Sequence, residues 1–327
     1  MTLKEQVAIK NSEKIVFTPG PASLLLENLA ALSPCFGRGD SDYEKVETGV
    51  LSRLLELSGH KNIARMQGSA TLALEIIVRN FLFGRVIVVS SGYYSKRLEQ
   101  LARSAMFESA DIVEIEYVDL SELDGFNGQA DWIVACLTET SIASLLPIGI
   151  LRDLAHRTGS QLMLDATASI GLEEGHEIAD VIGYSSCKGL LGLTGAAFVA
   201  FNEPPRNKIQ SFNLSLESHI QRATTGPYHA IQSLSLILPK HAEYLERIKR
   251  SRDLFCEWQR NDLVSPMSAQ PLLCTHTRNL LTSKDARVVL YKPRQQIQGS
   301  IICHIGEVHK QLEQVGENFK FLEPDEQ

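Results

Sequence analysis

Two ionisable side chains lie directly after short apolar runs of the kind that forms buried strands. Lys188 follows the run 181–185, and Asp165 ends the run 162–165. A lysine amine can form a Schiff base with an aldehyde, and a carboxylate can pair with the protonated nitrogen of a pyridine ring. A protein supplies these two groups to use pyridoxal 5'-phosphate (PLP). The pair therefore predicts PLP chemistry, whereas each residue alone also fits a plainer role, a surface charge for Lys188 and a helix N-cap for Asp165.

A third candidate feature is the short stretch Ser69, Ala70 and Thr71, which opens a helix with apolar residues over 72–78. The free N–H groups and the positive dipole end of a helix start attract a phosphate. Ordinary N-capping also explains hydroxyl residues at such a position. Upstream, the segment 17–22 combines two prolines with a glycine, which predicts a rigid turn whose backbone can line a pocket.

Apolar runs alternate with helical stretches along the first two hundred residues. This alternation predicts an α/β fold with a mostly parallel sheet and helices on both faces. The candidate ligand groups fall at the carboxyl ends of the strands, where open α/β sheets place their sites. The predicted strands are 85–90, 112–118, 132–137, 162–165, 181–185 and 196–201, and the predicted helices are 44–58 (capped by Ser41 or Asp42), 98–107, 144–157 and 168–176. Beyond them we predict a helical region to about residue 260 with a break near Pro239, strands over 287–291 and 300–304, and a helix from about 307.

Length and composition narrow the class of protein. The 327 residues predict a large domain over 15–235 and a small C-terminal domain over 236–327, preceded by an arm over 1–14. The net charge of −7, with acids and bases interspersed, argues against a nucleic-acid surface. No apolar run reaches the roughly 18 residues of a membrane span, and the first residues lack the apolar core of a signal peptide. The six cysteines form no CxxC pair, which predicts reduced thiols in a cytoplasmic protein and no metal site.

Nine short motifs follow one another along most of the chain. They are 17–21, 40–43, 67–71 with Glu75, 91–94 with Arg97, 139–141, Asp165 with Ser169, 185–188 with Gly192 and Gly195, 225–229, and 305–308. In this order they resemble the motifs of the class V PLP-dependent aminotransferases of fold type I, above all the 2-aminoethylphosphonate–pyruvate aminotransferases. The resemblance implies a fold-type I transferase with a large PLP-binding domain and a smaller α+β C-terminal domain.

The resemblance also implies a role for each matching residue. Lys188 would hold PLP as a Schiff base and then act as the general base, while Asp165 would keep the pyridine nitrogen protonated. The further cofactor-binding residues implied are Ser69, Ala70 and Thr71 at the phosphate, Tyr94 stacked on the ring (with Tyr93 more suited to the core), Thr140 near the phenolic oxygen, Ser186 beside the lysine, and Thr225, which would reach the phosphate across a dimer interface. The expected assembly is therefore a homodimer with a site shared between chains.

One departure from the family pattern concerns substrate binding. The arginine that clamps the substrate carboxylate in these aminotransferases aligns with Ile301, or with His304 in a rival register. Neither side chain offers the planar fork that binds a carboxylate through two hydrogen bonds. Arg38, Arg278 and Arg294 are candidate replacements, with Arg294 the nearest in sequence.

The sequence thus predicts a PLP-dependent aminotransferase that moves an amino group between a small amine or amino acid and a 2-oxo acid, with an aminophosphonate-type donor as one option. A PLP-dependent lyase or decarboxylase is an alternative, favoured by the missing arginine because it needs no second, carboxylate-bearing substrate. A PLP-binding protein without turnover is another.

Overall fold

The computed structural model describes residues 1–33, 39–108, 111–310 and 319–321. Its α-helices are α1 Leu3–Ser12, α2 Leu26–Ala30, α3 Ser41–Ser58, α4 Ala70–Phe81, α5 Tyr93–Glu108, α6 Ile148–Thr158, α7 Leu216–Ile220, α8 Tyr228–Ser235 and α9 His241–Trp258. Its strands are β1 Ile15–Phe17, β2 Asn62–Gln67, β3 Gly84–Ser90, β4 Ile112–Asp119, β5 Trp132–Cys136, β6 Thr138–Glu139, β7 Ser144–Leu145, β8 Gln161–Asp165, β9 Val181–Ser185, β10 Ala196–Phe201, β11 Cys274–Thr277, β12 Leu281–Thr282, β13 Val288–Leu290, β14 Ser300–Cys303 and β15 Lys320–Phe321.

The central sheet has the order β2-β10-β9-β8-β5-β3-β4 within the described residues. Strands β9, β8, β5, β3 and β4 pair in parallel, whereas β10 is antiparallel to both of its neighbours. Every residue of β5, β9 and β10 is buried, as expected for strands covered on both faces. The predicted α/β fold with a mostly parallel sheet is confirmed.

Alternate side chains of the strands enter two separate hydrophobic cores. In β3, Ile87 and Val89 join the core formed with α3, α6 and α8, while Val86 and Val88 join the core formed with α4 and α5. This two-residue period is the reason that the sheet carries helices on both faces. The loops that follow β3, β5, β8 and β9 therefore meet at one edge of the sheet, which is where the candidate site lies.

The structure differs from the predicted elements in a few places. The predicted helix over 168–176 is wrong: the segment forms turns and then a short 3₁₀ helix, His176–Ile178, because Gly171 and Gly175 adopt left-handed φ values of 76° and 88°. The cap of α3 is Asp40, whose Oδ1 accepts hydrogen bonds from the N–H groups of Asp42 and Tyr43. Residues 306–310 form turns, and the helix predicted from 307 otherwise falls largely outside the described residues.

A smaller lobe surrounds α9 and the strand pair β11–β14. The short strand β1 pairs in parallel with β13, so the chain crosses into this lobe before it builds the large sheet. Phe17 packs there with Phe255 and Ile302. We propose a large domain over 15–235 and a small domain over 236–327, with β1 contributing to the core of the small one. Within the described residues, no helix combines the length and the apolar character needed to cross a bilayer.

Candidate active site

Lys188 lies in a tight turn just beyond the end of β9. The Leu191 N–H donates to the Lys188 carbonyl at 2.9 Å, and the Gly192 N–H donates to the Ser186 carbonyl at 2.8 Å. Across from the lysine stem, a Cβ atom added to Gly20 would lie 3.0 Å from Lys188 Cγ. The backbone of the Pro-Gly-Pro turn therefore packs against the stem, which leaves the amine as the mobile end of the side chain.

Lys188 lines a cavity of about 230 Å³ at the carboxyl ends of β5, β8 and β9. The cavity collects residues from separate parts of the chain that were predicted from sequence to act together. Those on its wall are Ser69, Ala70, Thr71, Tyr94, Thr140, Asp165, Lys188 and Arg294. Its other lining residues are Leu74, Arg97, Cys136, Thr138, Thr167, Ala168 and Ser185.

Asp165 occupies the end of β8 in the middle of the sheet. Its side chain is buried, with an exposed fraction of 6%, and its Oδ1 accepts a hydrogen bond of 2.9 Å from the Thr167 N–H. Burial raises the pKa of this carboxyl, while hydrogen bonds from Thr167 and the charges of Lys188 and Arg97 act in the opposite direction. Burying a carboxylate is costly unless a cation or a donor faces it. The site therefore favours a positively charged ligand group beside Asp165.

The N-terminus of α4 forms another wall of the cavity. Ser69 is the N-cap, and its side chain makes no capping hydrogen bond. The first N–H groups of the helix and the Ser69 hydroxyl are thus available to an anion, as at other helix starts. Arg97 adds a positive charge here, because its Nη1 donates to Thr71 Oγ1 at 3.2 Å.

The start of α5 positions the aromatic wall. Tyr94 lies with its ring centroid 5.6 Å from Lys188 Nζ and 5.2 Å from the Arg97 guanidinium carbon. The buried carboxylate of Glu139 accepts hydrogen bonds from the N–H groups of Tyr94 and Ser95 at 2.9 and 3.2 Å. Sequence reasoning assigned no role to Glu139, although a carboxylate facing the first turn of a helix is a common way to hold that turn in place.

Comparisons with known proteins point in one direction, although no family model matches the chain. Over 253 residues the chain is 26% identical to a 2-aminoethylphosphonate–pyruvate transaminase of Pseudomonas aeruginosa (strain UCBPP-PA14). The aligned region covers 70% of this chain and 68% of the relative. The structure matches an alanine–glyoxylate aminotransferase from Nostoc sp. with a TM-score of 0.77 and 15% identity, over 91% of each chain. It matches a ureidoglycine–glyoxylate aminotransferase from Bacillus subtilis with a TM-score of 0.75 and 14% identity, over 91% of this chain and 89% of that one.

The chain resembles the class V aminotransferases of fold type I. The resemblance inferred from the nine motifs is confirmed, and so is the fold-type I architecture. Class V aminotransferases use PLP as their cofactor. The donors and acceptors of the cavity wall can therefore be compared with the groups of PLP.

The lining residues fit PLP. The hydroxyl oxygens of Thr138 and Thr140 are buried in the cavity wall and have no hydrogen-bond partner within the described residues. Because unpaired buried hydroxyl groups are unfavourable, this wall is suited to a polar ligand. A phosphate suits the start of α4, a ring nitrogen that carries a proton suits Asp165, and an aldehyde suits the amine of Lys188. The cofactor expected from sequence agrees with these donors and acceptors.

Other predicted site residues lie away from the cavity. Ser186 is buried and its hydroxyl donates to the Leu193 carbonyl, while its neighbour Ser185 lines the cavity instead. Thr225 is exposed in the loop before α8 and is not among the residues that line the cavity of this chain. Arg278 lines a different cavity, and Arg38 falls outside the described residues.

The structure places His304 in the core of the small lobe rather than at the cavity. Its Nε2 lies 3.0 Å from Thr275 Oγ1, and its ring centroid lies 5.8 Å from that of Phe255. Ile301, at the other alignment of the family arginine, is 1% exposed and packs among apolar side chains. Neither position can present a cation to a substrate in this chain.

The burial of His304 leads to a testable pH dependence. Burial lowers the pKa of His304 to about 3, so the folded protein keeps the ring neutral where the unfolded chain protonates it. Stability is therefore lost as pH falls below 6.5, by roughly 2–3 kcal/mol at pH 4.5 from this residue.

We expect the His304→Gln variant to lose less free energy of unfolding than wild type between pH 7 and 4.5, measured by urea denaturation. Exposed His156 supplies the control, since His156→Gln should follow wild type; equal pH slopes for all three proteins would contradict the prediction.

Proposed function

We propose that this chain is a PLP-dependent aminotransferase that moves an amino group between a small amine or amino acid and a 2-oxo acid, with a Schiff base at Lys188. The observation that carries the proposal is the single cavity lined by Lys188, by the buried Asp165 and by the N-terminus of α4. An amine, an acid and an anion site meet there, and this combination is what PLP requires of a protein.

The residues that would hold the cofactor follow from their chemistry. Ser69, Ala70 and Thr71 would bind the phosphate through the helix start, with Arg97 contributing charge through Thr71. Thr140 would donate to the phenolic oxygen, and Tyr94 would cover the ring. Asp165 would face the ring nitrogen, where a proton compensates the buried carboxylate.

PLP supplies a place for the electrons that remain when a substrate carbon loses its proton. The residues of the chain transfer the proton, position the reacting groups and exclude water. Once its amine is freed by the substrate, Lys188 can take the proton from the substrate carbon at Nζ and return it at a different atom. Gly20 and the turn 186–192 fix the stem, so Nζ moves over a short path. Tyr94 excludes water from the side of the cavity that it covers, and Asp165 keeps a proton on the ligand nitrogen that faces it.

We propose an aminophosphonate-type donor on the strength of the relatives. The transaminase of Pseudomonas aeruginosa is named for 2-aminoethylphosphonate and pyruvate. A bifunctional protein of Clostridioides difficile, 26% identical over 261 residues, carries an aminoethylphosphonate transaminase as one of its two named activities.

A PLP-dependent lyase or decarboxylase is a second candidate, and one observation favours it. The strand position that matches the family's carboxylate-binding arginine is the buried Ile301. A lyase needs only one substrate, so the loss of an acceptor-binding cation matters less to it than to an aminotransferase.

We also propose a cytoplasmic homodimer with shared sites. Thr225, in the loop before α8, would reach the phosphate of the neighbouring protomer, which agrees with its position outside the cavity of its own chain. The cysteines at 136, 187, 256, 274 and 303 are free thiols, as is usual in the reducing cytoplasm.

The test of the function uses the protein loaded with PLP. With 2-aminoethylphosphonate and pyruvate together, we expect alanine to accumulate over many turnovers. With the donor alone, about one equivalent of product should form per site, because the amino group stays on the protein until an acceptor removes it. Continued turnover of the donor without pyruvate would instead identify a lyase or decarboxylase. Absence of amino transfer from every small amine tested, in protein that binds PLP, would contradict the proposal.

A further inference from the structure

Arg294 lies at the outer part of the cavity that contains Lys188. It belongs to the loop between β13 and β14, is solvent-exposed, and contributes to the cavity wall. Its Nη1 donates to the Tyr93 hydroxyl at 3.3 Å, and its guanidinium carbon lies 5.6 Å from the centroid of the Tyr93 ring. The tyrosine thus holds the arginine by a hydrogen bond and by a cation–π contact.

A second cation contacts the same tyrosine. The guanidinium carbon of Arg97 also lies 5.6 Å from the Tyr93 ring centroid, while its Nη1 donates a hydrogen bond to Thr71 Oγ1. Hydrogen bonding to the two arginines lowers the pKa of the Tyr93 hydroxyl, and the contribution of Arg294 is larger than that of Arg97. Arg97 is hydrogen-bonded to Thr71 at the start of α4, whereas Arg294 contacts Tyr93 on the exposed side of the cavity.

The charges around the cavity are unbalanced. Its lining includes the cations Lys188, Arg97 and Arg294 and, among the described residues, the single carboxylate Asp165. Within that part of the chain Arg294 forms no ion pair, although several other exposed arginines do. An arginine has five N–H donors, and among the described residues Arg294 uses one of them, in the hydrogen bond to Tyr93. The arrangement leaves a planar, cationic fork without an anion.

We propose that Arg294, held by Tyr93, binds the anionic group at the end of the substrate opposite to its reacting nitrogen or carbonyl. This inference rests on the proposed function and gives it a substrate class, small amines or oxo acids that carry a phosphonate or a carboxylate. The anion-binding residue would then lie in the loop between β13 and β14, and not at the strand position of Ile301, which is buried in an apolar cluster that includes residues of both proposed domains. A guanidinium binds either anion through two parallel hydrogen bonds, so the geometry alone fits both.

The test measures binding to the PLP-loaded protein by calorimetry, with analogues that carry no amino group. The probes are 2-hydroxyethylphosphonate, 3-hydroxypropanoate and the neutral 1-propanol. We expect the wild-type protein to bind one or both anions in preference to the alcohol. Arg294→Gln should weaken anion binding by about ten- to a hundredfold, the value of a charged hydrogen-bond pair. Arg294→Lys should restore part of the affinity, because it keeps the charge but loses the fork.

Lys292→Gln provides the matched control, since Lys292 is an exposed cation two residues away that does not line the cavity. Its affinity for the anions should equal that of wild type. Tighter binding of the phosphonate would assign a phosphonate substrate, and tighter binding of the carboxylate would assign a carboxylate. Equal affinities of wild type and Arg294→Gln, or no preference for anions over the alcohol, would overturn the inference. Because this readout needs no turnover, it is separate from the amino-transfer assay, and either result can fail alone.

Discussion

Replacing Lys188 with alanine is expected to remove the covalent attachment of PLP and to lower amino transfer by about a thousandfold or more, as for the loss of a general base that also carries the cofactor. The start of α4, where we propose that the phosphate binds, and the buried Asp165 stay in place, so the variant should still bind PLP without a covalent bond. Its fold should persist, because the lysine side chain is only half-buried and its stem packs on Gly20 rather than into a hydrophobic core.

Borohydride reduction followed by peptide mass spectrometry measures the covalent attachment directly. In wild-type protein the reduced adduct should lie on Lys188, and in Lys188→Ala it should be absent. Lys61→Ala is the control, because Lys61 is an exposed lysine paired with Glu203 on the surface. A reduced adduct at another lysine in Lys188→Ala, with activity kept, would show that a different amine carries the chemistry.

The mostly parallel sheet and the meeting of Lys188 with Asp165 at one cavity could be predicted from the sequence because both depend on burial. A parallel sheet covered on two faces requires continuous apolar runs, and these are visible in the chain without any structure. Where such a run ends in a lysine or an aspartate, the carboxyl end of a strand places that group at the site edge. Lys188 and Asp165 could therefore be assigned to one cavity from their positions alone.

The sequence could not decide questions that turn on a shift of one residue. Ser185 and Ser186 are neighbours at the end of a strand, where side chains alternate, so only one of them lines the cavity and a motif cannot say which. At the start of α5, Tyr94 lies near the lysine amine, whereas Tyr93 contacts Arg294 at the cavity entrance. The exposed side of that entrance depends on the path of a loop, which has no periodic signal.

Replacing Asp165 with asparagine is expected to change activity and stability in opposite directions. Amino transfer should fall by about a hundredfold or more, because a neutral amide cannot keep a proton on the ligand nitrogen that faces it. The free energy of unfolding of the PLP-free protein should be higher at pH 8, by about 1–2 kcal/mol, since the variant removes a buried charge. The amide oxygen can still accept the hydrogen bond from the Thr167 N–H.

The stability difference between Asp165→Asn and wild type should depend on pH. Burial raises the pKa of Asp165 above its ordinary value of 3.8, so the folded protein holds this proton more tightly than the unfolded chain does. Stability is then lost as pH rises from 3.8 through the folded-state pKa, so the penalty is larger at pH 8 than at pH 4. The advantage of Asp165→Asn over wild type in urea denaturation should therefore be largest at pH 8 and shrink as the pH approaches 4. Asp131→Asn serves as the control, because Asp131 accepts a backbone hydrogen bond from Arg85 outside the cavity.

A lower stability of Asp165→Asn than of wild type at pH 8, in protein free of PLP, would mean that the carboxylate supports the fold and is not held there for the ligand. The expected result, a higher stability of Asp165→Asn, would mean that the carboxylate is held there for the ligand. A buried acid that the fold would be more stable without is explained by the cation that it meets when the cofactor is bound, and PLP should accordingly raise the unfolding free energy of wild type more than that of the variant. The energetic cost of Asp165 in the empty protein and its use in the loaded one would then be two measurements of the same interaction.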